Sequence, residues 1–283
     1  MVKAVVGVIG GSGVYHLPGL TDLREEMVST PWGEPSDALR FGRIGDTDAV
    51  FLARHGRGHR FSPSTINYRA NIDALKRAAV TDIIALSACG SFHRELYPGV
   101  FVMIDQFVDR TYLRQSTFFG TGCVAHVSMA HPIAPLLRRR LVAAAEAEGI
   151  PHRDGGTYVC MEGPQFSTRA ESDLYRSWGV DVIGMTNATE AKLAREAQLC
   201  YSTVALITDY DCWHQTAEPV TVEAILHLLH RNAELAKRLI AEAVPKIPEV
   251  RSCSCGTALR DAIVTQPAAM TAEARRRLAV LQR

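Results

Sequence analysis

A chain of 283 residues, 47% of them hydrophobic, is long enough to bury a large core in one α/β domain. Its 31 basic and 30 acidic side chains leave a formal charge of +1 with the signs interspersed, which excludes the broad cationic surface that a nucleic acid or an anionic membrane partner requires. No apolar run approaches the roughly 20 residues that span a bilayer, and seven scattered cysteines read as thiols of a reducing cytoplasm rather than a disulfide framework.

Val5 to Ile9 reads as a buried first strand, and Gly10-Gly11-Ser12-Gly13 as the tight turn after it. Such a turn either offers backbone N–H groups and the Ser12 hydroxyl to a phosphate or is an ordinary turn, and its own residues do not decide. A dinucleotide site is excluded, since no third glycine completes the Gly11-x-Gly13 pattern. Ala49 to Ala53 is a strand ending at Arg54-His55-Gly56-Arg57-Gly58-His59-Arg60. Arg54 and His55 stand closest to the strand end, and the adjacent glycines favour an anion site over a solvated loop. A helix is expected from Ser64 to about Ala79, and Asp82 to Ser91 is a strand with a small-residue turn, a third candidate ligand edge.

Val100 to Ile104 is a strand, Pro132 to about Glu148 a helix ending at Gly149, and Gly156 to Cys160 a strand leading into the loop Met161 to Ser167. Thr168 and Glu171 have capping-box spacing, so a helix begins there and runs towards Trp178. Asp181 to Met185 is a strand, and Asn187 with Glu190 offers a second cap for a helix reaching about Gln198. Tyr201 to Thr208 is a strand that ends in two carboxylates, Asp209 and Asp211, which extended backbone projects to one side. Alone, that pair could serve a metal, a sugar or a base. Val222, Ile225, Leu226 and Leu229 then fall on one apolar face of a helix running to about Ala243. Pro245 and Pro248 break it, and the tail holds short helices interrupted by Pro267. On this reading residues 1–245 form one domain with a helical tail, 246–283, packed on it; strand–helix alternation gives an α/β sheet covered on both faces.

The motifs Gly10-Gly11-Ser12-Gly13, Arg54-His55-Gly56, Asn67-Tyr68-Arg69-Ala70-Asn71, Glu162-Gly163-Pro164, Met185-Thr186 and Thr208-Asp209-Tyr210-Asp211-Cys212-Trp213 give the chain a close resemblance to the trimeric purine nucleoside phosphorylases. Within them it resembles the branch acting on S-methyl-5'-thioadenosine, from roughly Val5 to Ala243. The resemblance implies a three-layer α/β/α sandwich around a mixed, partly barrel-like sheet, and a cytoplasmic homotrimer with sites near subunit interfaces. It also implies no cofactor, with inorganic phosphate as co-substrate. The implied reaction is phosphorolysis: phosphate attacks C1' of the nucleoside, releasing adenine and 5-methylthioribose 1-phosphate. Ser12, Arg54, His55, Ser87, Ala88 through its backbone, and Thr186 match the family's phosphate site. Asp209 and Asp211 match its catalytic pair, the first at purine N7 and the second suited to the exocyclic amino group. Phe166 would pack on the base or sugar and Met185 under the ribose, with core packing as the alternative for both.

Three positions bear on the substrate. A carboxylate accepts from a 6-amino group and repels a 6-keto oxygen, so Asp209 argues for adenine where Asn would suit hypoxanthine. The 6-oxopurine members carry Glu after the loop Phe, and here Ser167 follows Phe166. Val222 stands where members acting on ordinary nucleosides place a His for the 5'-hydroxyl; with Ile225 and Leu226 it makes an apolar wall worth about 0.8 kcal/mol per buried CH₂. His126 matches a residue contributed by the neighbouring subunit. The alternative is a broader or 6-oxopurine nucleoside phosphorylase. Thr189, where the family often has Pro, and the loop Phe92-His93-Arg94-Glu95 depart from the pattern. Cys253-Ser254-Cys255 resembles a CxC that forms a disulfide in some archaeal relatives, with two reduced thiols as the alternative; two cysteines alone are a weak zinc site, and no metal is expected.

Overall fold

The computed structural model describes residues 4–11, 20–214, 222–248 and 253–282, with the backbone alone for 222–227 and 229–230. Ser12 lies outside the described residues, as do the side chains of Val222, Ile225 and Leu226. Along the chain run β1 (Val5–Gly10), β2 (Leu20–Glu26), β3 (Leu39–Ile44) and β4 (Thr47–Ala53), then α1 (Tyr68–Arg77) and β5 (Asp82–Ser91). β6 (Phe101–Met103) and β7 (Gln106–Arg110) precede α2 (Pro135–Ala147); β8 (His152–Asp154) and β9 (Thr157–Met161) precede α3 (Arg169–Ser177). β10 (Val182–Gly184), α4 (Asn187–Glu196), β11 (Cys200–Tyr210) and α5 (Val222–Ala243) follow, and the tail ends in α6 (Ala272–Leu278).

All eleven strands belong to one mixed sheet. β4, β1, β5 and β11 run parallel at its centre, and β2 and β3 extend it antiparallel beyond β4. Because successive side chains on a strand point to opposite faces, the central strands feed two cores. Val6, Val8, Ile84 and Val204 meet Leu141 of α2 and Leu239 of α5 on one face. Ile9, Ile83, Ala205 and Ile207 meet Leu75 of α1 and Leu193 of α4 on the other. The result is an α/β/α arrangement whose aliphatic strands are covered on both sides, as parallel sheets require. Leu259, Leu278 and Leu281 of the tail enter the α1–α4 core.

Two irregularities in β5 and β11 create the site. One edge of β5 pairs with β11 along its whole length. The other edge pairs with β1 only from Asp82 to Ala85 and with β10 only at Gly90 and Ser91. Between Ala85 and Gly90 that edge has no strand beside it among the described residues, and the sheet opens there. In β11 the register shifts between Ile207 and Asp209, a bulge that inserts Thr208 and reverses the alternation. Leu206 before it, Thr208 at it, and Asp209 and Asp211 after it all line the same cavity.

Some local expectations are corrected. α1 begins at Tyr68, not Ser64: Asn67 is the cap, its side chain accepting from the Ala70 N–H at 3.1 Å, while the Ser64 hydroxyl turns to Glu162. α2 begins at Pro135 rather than Pro132, with the second proline in the first turn, where its missing N–H is not needed. The Thr168–Glu171 capping box forms. The cap expected from Asn187 and Glu190 does not: Thr186 holds the N-cap position, Asn187 donates to Thr203 Oγ1 at 2.7 Å, and Glu190 is taken by Arg54.

Candidate active site

Where the sheet opens lies a cavity of about 320 Å³. Its floor is β5 from Leu86 to Gly90, and its walls come from the C-terminal ends of β1, β4, β10 and β11 and the loop after β9. Ligand sites of open α/β sheets sit at such strand ends.

At one pole Arg54, the first residue after β4, is buried with 3% exposure. Its Nε and Nη2 donate to the two Glu190 oxygens at 2.5 and 3.0 Å, and its Nη1 donates to the Leu86 carbonyl at 2.8 Å. Burial opposes its charge, but Glu190 overcomes this and holds the guanidinium ionised. Three of its five N–H groups are thus committed, leaving one on each terminal nitrogen for a ligand. Residues two apart on a strand direct their backbone groups to the same edge, so the Ala88 N–H faces the opening as the Leu86 carbonyl does. Thr186 caps α4 with no side-chain bond to the helix, and its buried hydroxyl has no partner among the described residues. A helix N-terminus and an idle hydroxyl both suit an anion.

His55 adds a neutral group. Its Nδ1 lies 2.8 Å from the Phe61 carbonyl, which only accepts, so Nδ1 carries the proton and Nε2 is an acceptor. Burial, then the Arg54 charge, lowers its pKa to about 4. His59, which also lines the cavity, stacks on it with ring centroids 4.1 Å apart.

The other pole is carboxylic. Asp209 and Asp211 both have raised pKa values, caused first by burial; the Thr208 hydroxyl, donating to Asp209 at 2.6 Å, opposes part of the rise on Asp209, and the Asp211 charge adds to it. Asp211 Oδ2 is buried with no hydrogen-bond partner among the described residues. Gly90 makes room for the pair: a Cβ there would stand 3.1 Å from Asp209 Oδ2 and 3.0 Å from Ile183. Leu86 touches the cationic pole and Gly90 the carboxylic one, four residues or roughly 13 Å along the strand.

Ser87, Phe166, Ser167 and Met185 line the space between, with Phe166 62% exposed at its mouth. Ten of the residues singled out in the sequence thus share one cavity. Ser12 is outside the described residues, though Gly11 before it lines the cavity. Val222, Ile225 and Leu226 stand in the first turns of α5, whose Ala233 reaches the cavity. His126 is exposed and away from this cavity, its N–H donating to the Ala262 carbonyl of the tail.

Sequence reasoning missed Glu190, read as a cap, and Arg114, which lies in a loop without a motif. Arg114 donates to Glu162 Oε1 at 3.1 Å, to the Glu162 carbonyl at 2.7 Å and to the Met185 carbonyl. Glu162 also accepts from the Tyr112 and Leu113 N–H groups. The pair therefore ties the loop after β9 to Met185.

Comparison with known proteins agrees across sequence and structure. Residues 5–245 match the model of the phosphorylase superfamily. An S-methyl-5'-thioadenosine phosphorylase of Bradyrhizobium diazoefficiens is 59% identical over 281 residues, covering 98% of this chain and 97% of the relative. One of Geobacter sulfurreducens is 53% identical over 278 residues, covering 98% and 97%. A methylthioadenosine phosphorylase from an antarctic soil metagenomic library superposes with a TM-score of 0.94 at 46% identity, covering 99% of each chain. A variant adenosine/methylthioadenosine phosphorylase of Schistosoma mansoni in complex with methylthioadenosine gives 0.84 at 37% identity, covering 91% of this chain and 96% of the other.

Proposed function

We infer the reaction from one premise: this chain belongs to the phosphorylase superfamily. It cleaves S-methyl-5'-thioadenosine with inorganic phosphate, giving adenine and 5-methylthioribose 1-phosphate. The observation that carries this reading is the polarity of the cavity, with an anion-accepting pole around Arg54 and Thr186 and a pair of buried carboxyl groups of raised pKa at Asp209 and Asp211.

In the reaction the glycosidic bond from C1' to purine N9 breaks while a phosphate oxygen bonds to C1'. Positive charge develops on the ribose and negative charge on the purine. Arg54, the Thr186 and Ser87 hydroxyls and the Ala88 N–H hold the phosphate, with Ser12 completing the set by family resemblance. Arg54 supplies fixed positive charge while Glu190 orients it. The neutral His55 accepts through Nε2 from a protonated phosphate oxygen, which selects the hydrogen phosphate ion over its fully ionised form. Asp209, its pKa raised, holds a proton towards N7 and lets the purine leave as a neutral base. Asp211 Oδ2 accepts from the 6-amino group. Met185 packs under the ribose and Phe166 over the base.

The apolar start of α5, with Val222, Ile225 and Leu226, favours a methylthio group over a hydroxyl that would go unsatisfied. The working particle is a cytoplasmic homotrimer in which a neighbouring subunit brings His126 to the site, and phosphate is a co-substrate with no cofactor. The deciding experiment follows the ultraviolet change with methylthioadenosine, adenosine, inosine and methylthioinosine, with and without phosphate. Phosphate-dependent adenine release fastest from methylthioadenosine is expected; robust inosine cleavage without methylthioadenosine cleavage overturns the reading.

A further inference from the structure

Away from the cavity, three thiols converge. Cys200 opens β11, and Cys253 and Cys255 lie at the 3-10 turn Ser254–Thr257 of the tail. All three Sγ atoms lie within 4.8 Å of one another, with those of Cys200 and Cys253 at 2.8 Å. The Cys-x-Cys spacing alone is a poor metal site, but the fold brings to it a third sulfur 53 residues away from Cys253. Cys200 and Cys255 are buried in the α2–α5 core, and Cys253 is half-buried at a small hollow that Asp82 and Arg140 also line.

We propose that Cys200, Cys253 and Cys255 form a binding site for one thiophilic divalent cation of the zinc and cadmium class. Three sulfurs bound to zinc at about 2.3 Å stand roughly 4 Å apart, so the present spacing needs only side-chain adjustment. Soft sulfur ligands in a largely buried setting disfavour magnesium and calcium, which take oxygen. The half-exposed Cys253 leaves the fourth tetrahedral position to solvent. Binding a cation as thiolates exchanges S–H bonds for metal–sulfur bonds and releases up to three protons to solvent. The bound set carries one net negative charge, beside Asp82 and Arg140, which line the same hollow. Occupancy would fasten the tail to the first residue of β11, whose far end carries Asp209.

The test uses the full chain, reduced and freed of metal with a chelator, then titrated anaerobically with cadmium chloride while the thiolate-to-cadmium ultraviolet band is recorded. The expected result is a break at one cadmium per chain, with about three protons released in weak buffer and displacement by zinc. Cys253→Ser should weaken binding by more than the roughly tenfold that changing an outer-shell partner costs, whereas Cys212→Ser, remote from the cluster, should leave the stoichiometry unchanged. Zinc should raise the Tm of the native chain and not that of Cys253→Ser. The absence of a break at one equivalent, an unchanged titration in Cys253→Ser, or a disulfide among these cysteines in protein from reducing, zinc-replete cells overturns the proposal.

Discussion

Replacing Asp209 by Asn keeps the outline of the side chain and removes the carboxyl group that, on the proposed reading, protonates N7. For Asp209→Asn we expect kcat/KM on methylthioadenosine to fall by about 10²- to 10⁴-fold, the usual worth of a general acid, and the preference for methylthioinosine over methylthioadenosine to rise. Steady-state rates on both substrates check this, and an unchanged ratio removes Asp209 from the role. His55 gives a prediction about stability. Its pKa is near 4 in the fold against an ordinary value of 6.5, so below 6.5 the unfolded chain binds the proton that the folded chain refuses. Stability is lost as pH falls from 6.5 to 4, by roughly 3 kcal/mol at the most for this one group. In His55→Gln, Tm should fall less than in the native chain across that window, as calorimetry at matched pH values would register.

At the scale of elements, the buried runs were readable because aliphatic strands covered on both faces are continuous in sequence, as in Val5 to Ile9 and Tyr201 to Thr208. β2 was not, since six of its seven residues are exposed and its polar side chains carry no period. Asp209 and Asp211 were legible as a pair from their i, i+2 spacing. That Thr208 joins them was not, because a bulge depends on pairing with β5, which no local pattern reveals. Glu190 was misread for a related reason: capping spacing is local, while its partner Arg54 stands 136 residues away. Gly90 tests how closely the carboxylic pole is built. Gly90→Ala presses a methyl group on Asp209 and Ile183, and a shift of about 1 Å at a reacting group costs on the order of 10²-fold. We expect kcat/KM to drop by about that factor with the circular dichroism spectrum and most of the Tm retained. Thr168→Ala should do the reverse, lowering stability by about 1 kcal/mol through loss of the α3 cap with kcat unchanged, as paired denaturation and rate measurements would show.

For the whole molecule, exposed Tyr112 and Leu113 stand beside the Glu162–Arg114 pair that supports the cavity loop, and apolar surface near a site is where a second subunit is expected. On the proposed assembly, sedimentation should give a particle of three times the 31.0 kDa chain, and specific activity should fall on dilution in step with its dissociation. A monomer of full activity would exclude shared sites.

The missing neighbour along β5 bears on how the two substrates influence each other. Arg54 stands at the rim made by β1 and β4 and Asp209 at the rim made by β10 and β11; on the proposed reading phosphate would grip the first, adenine the second, and the ribose would lie across the breach. Substrates bound in this way are mortar in a course of masonry, each steadying the bed on which the other is laid. Phosphate should therefore tighten nucleoside binding and nucleoside tighten phosphate by the same factor, since linkage is reciprocal.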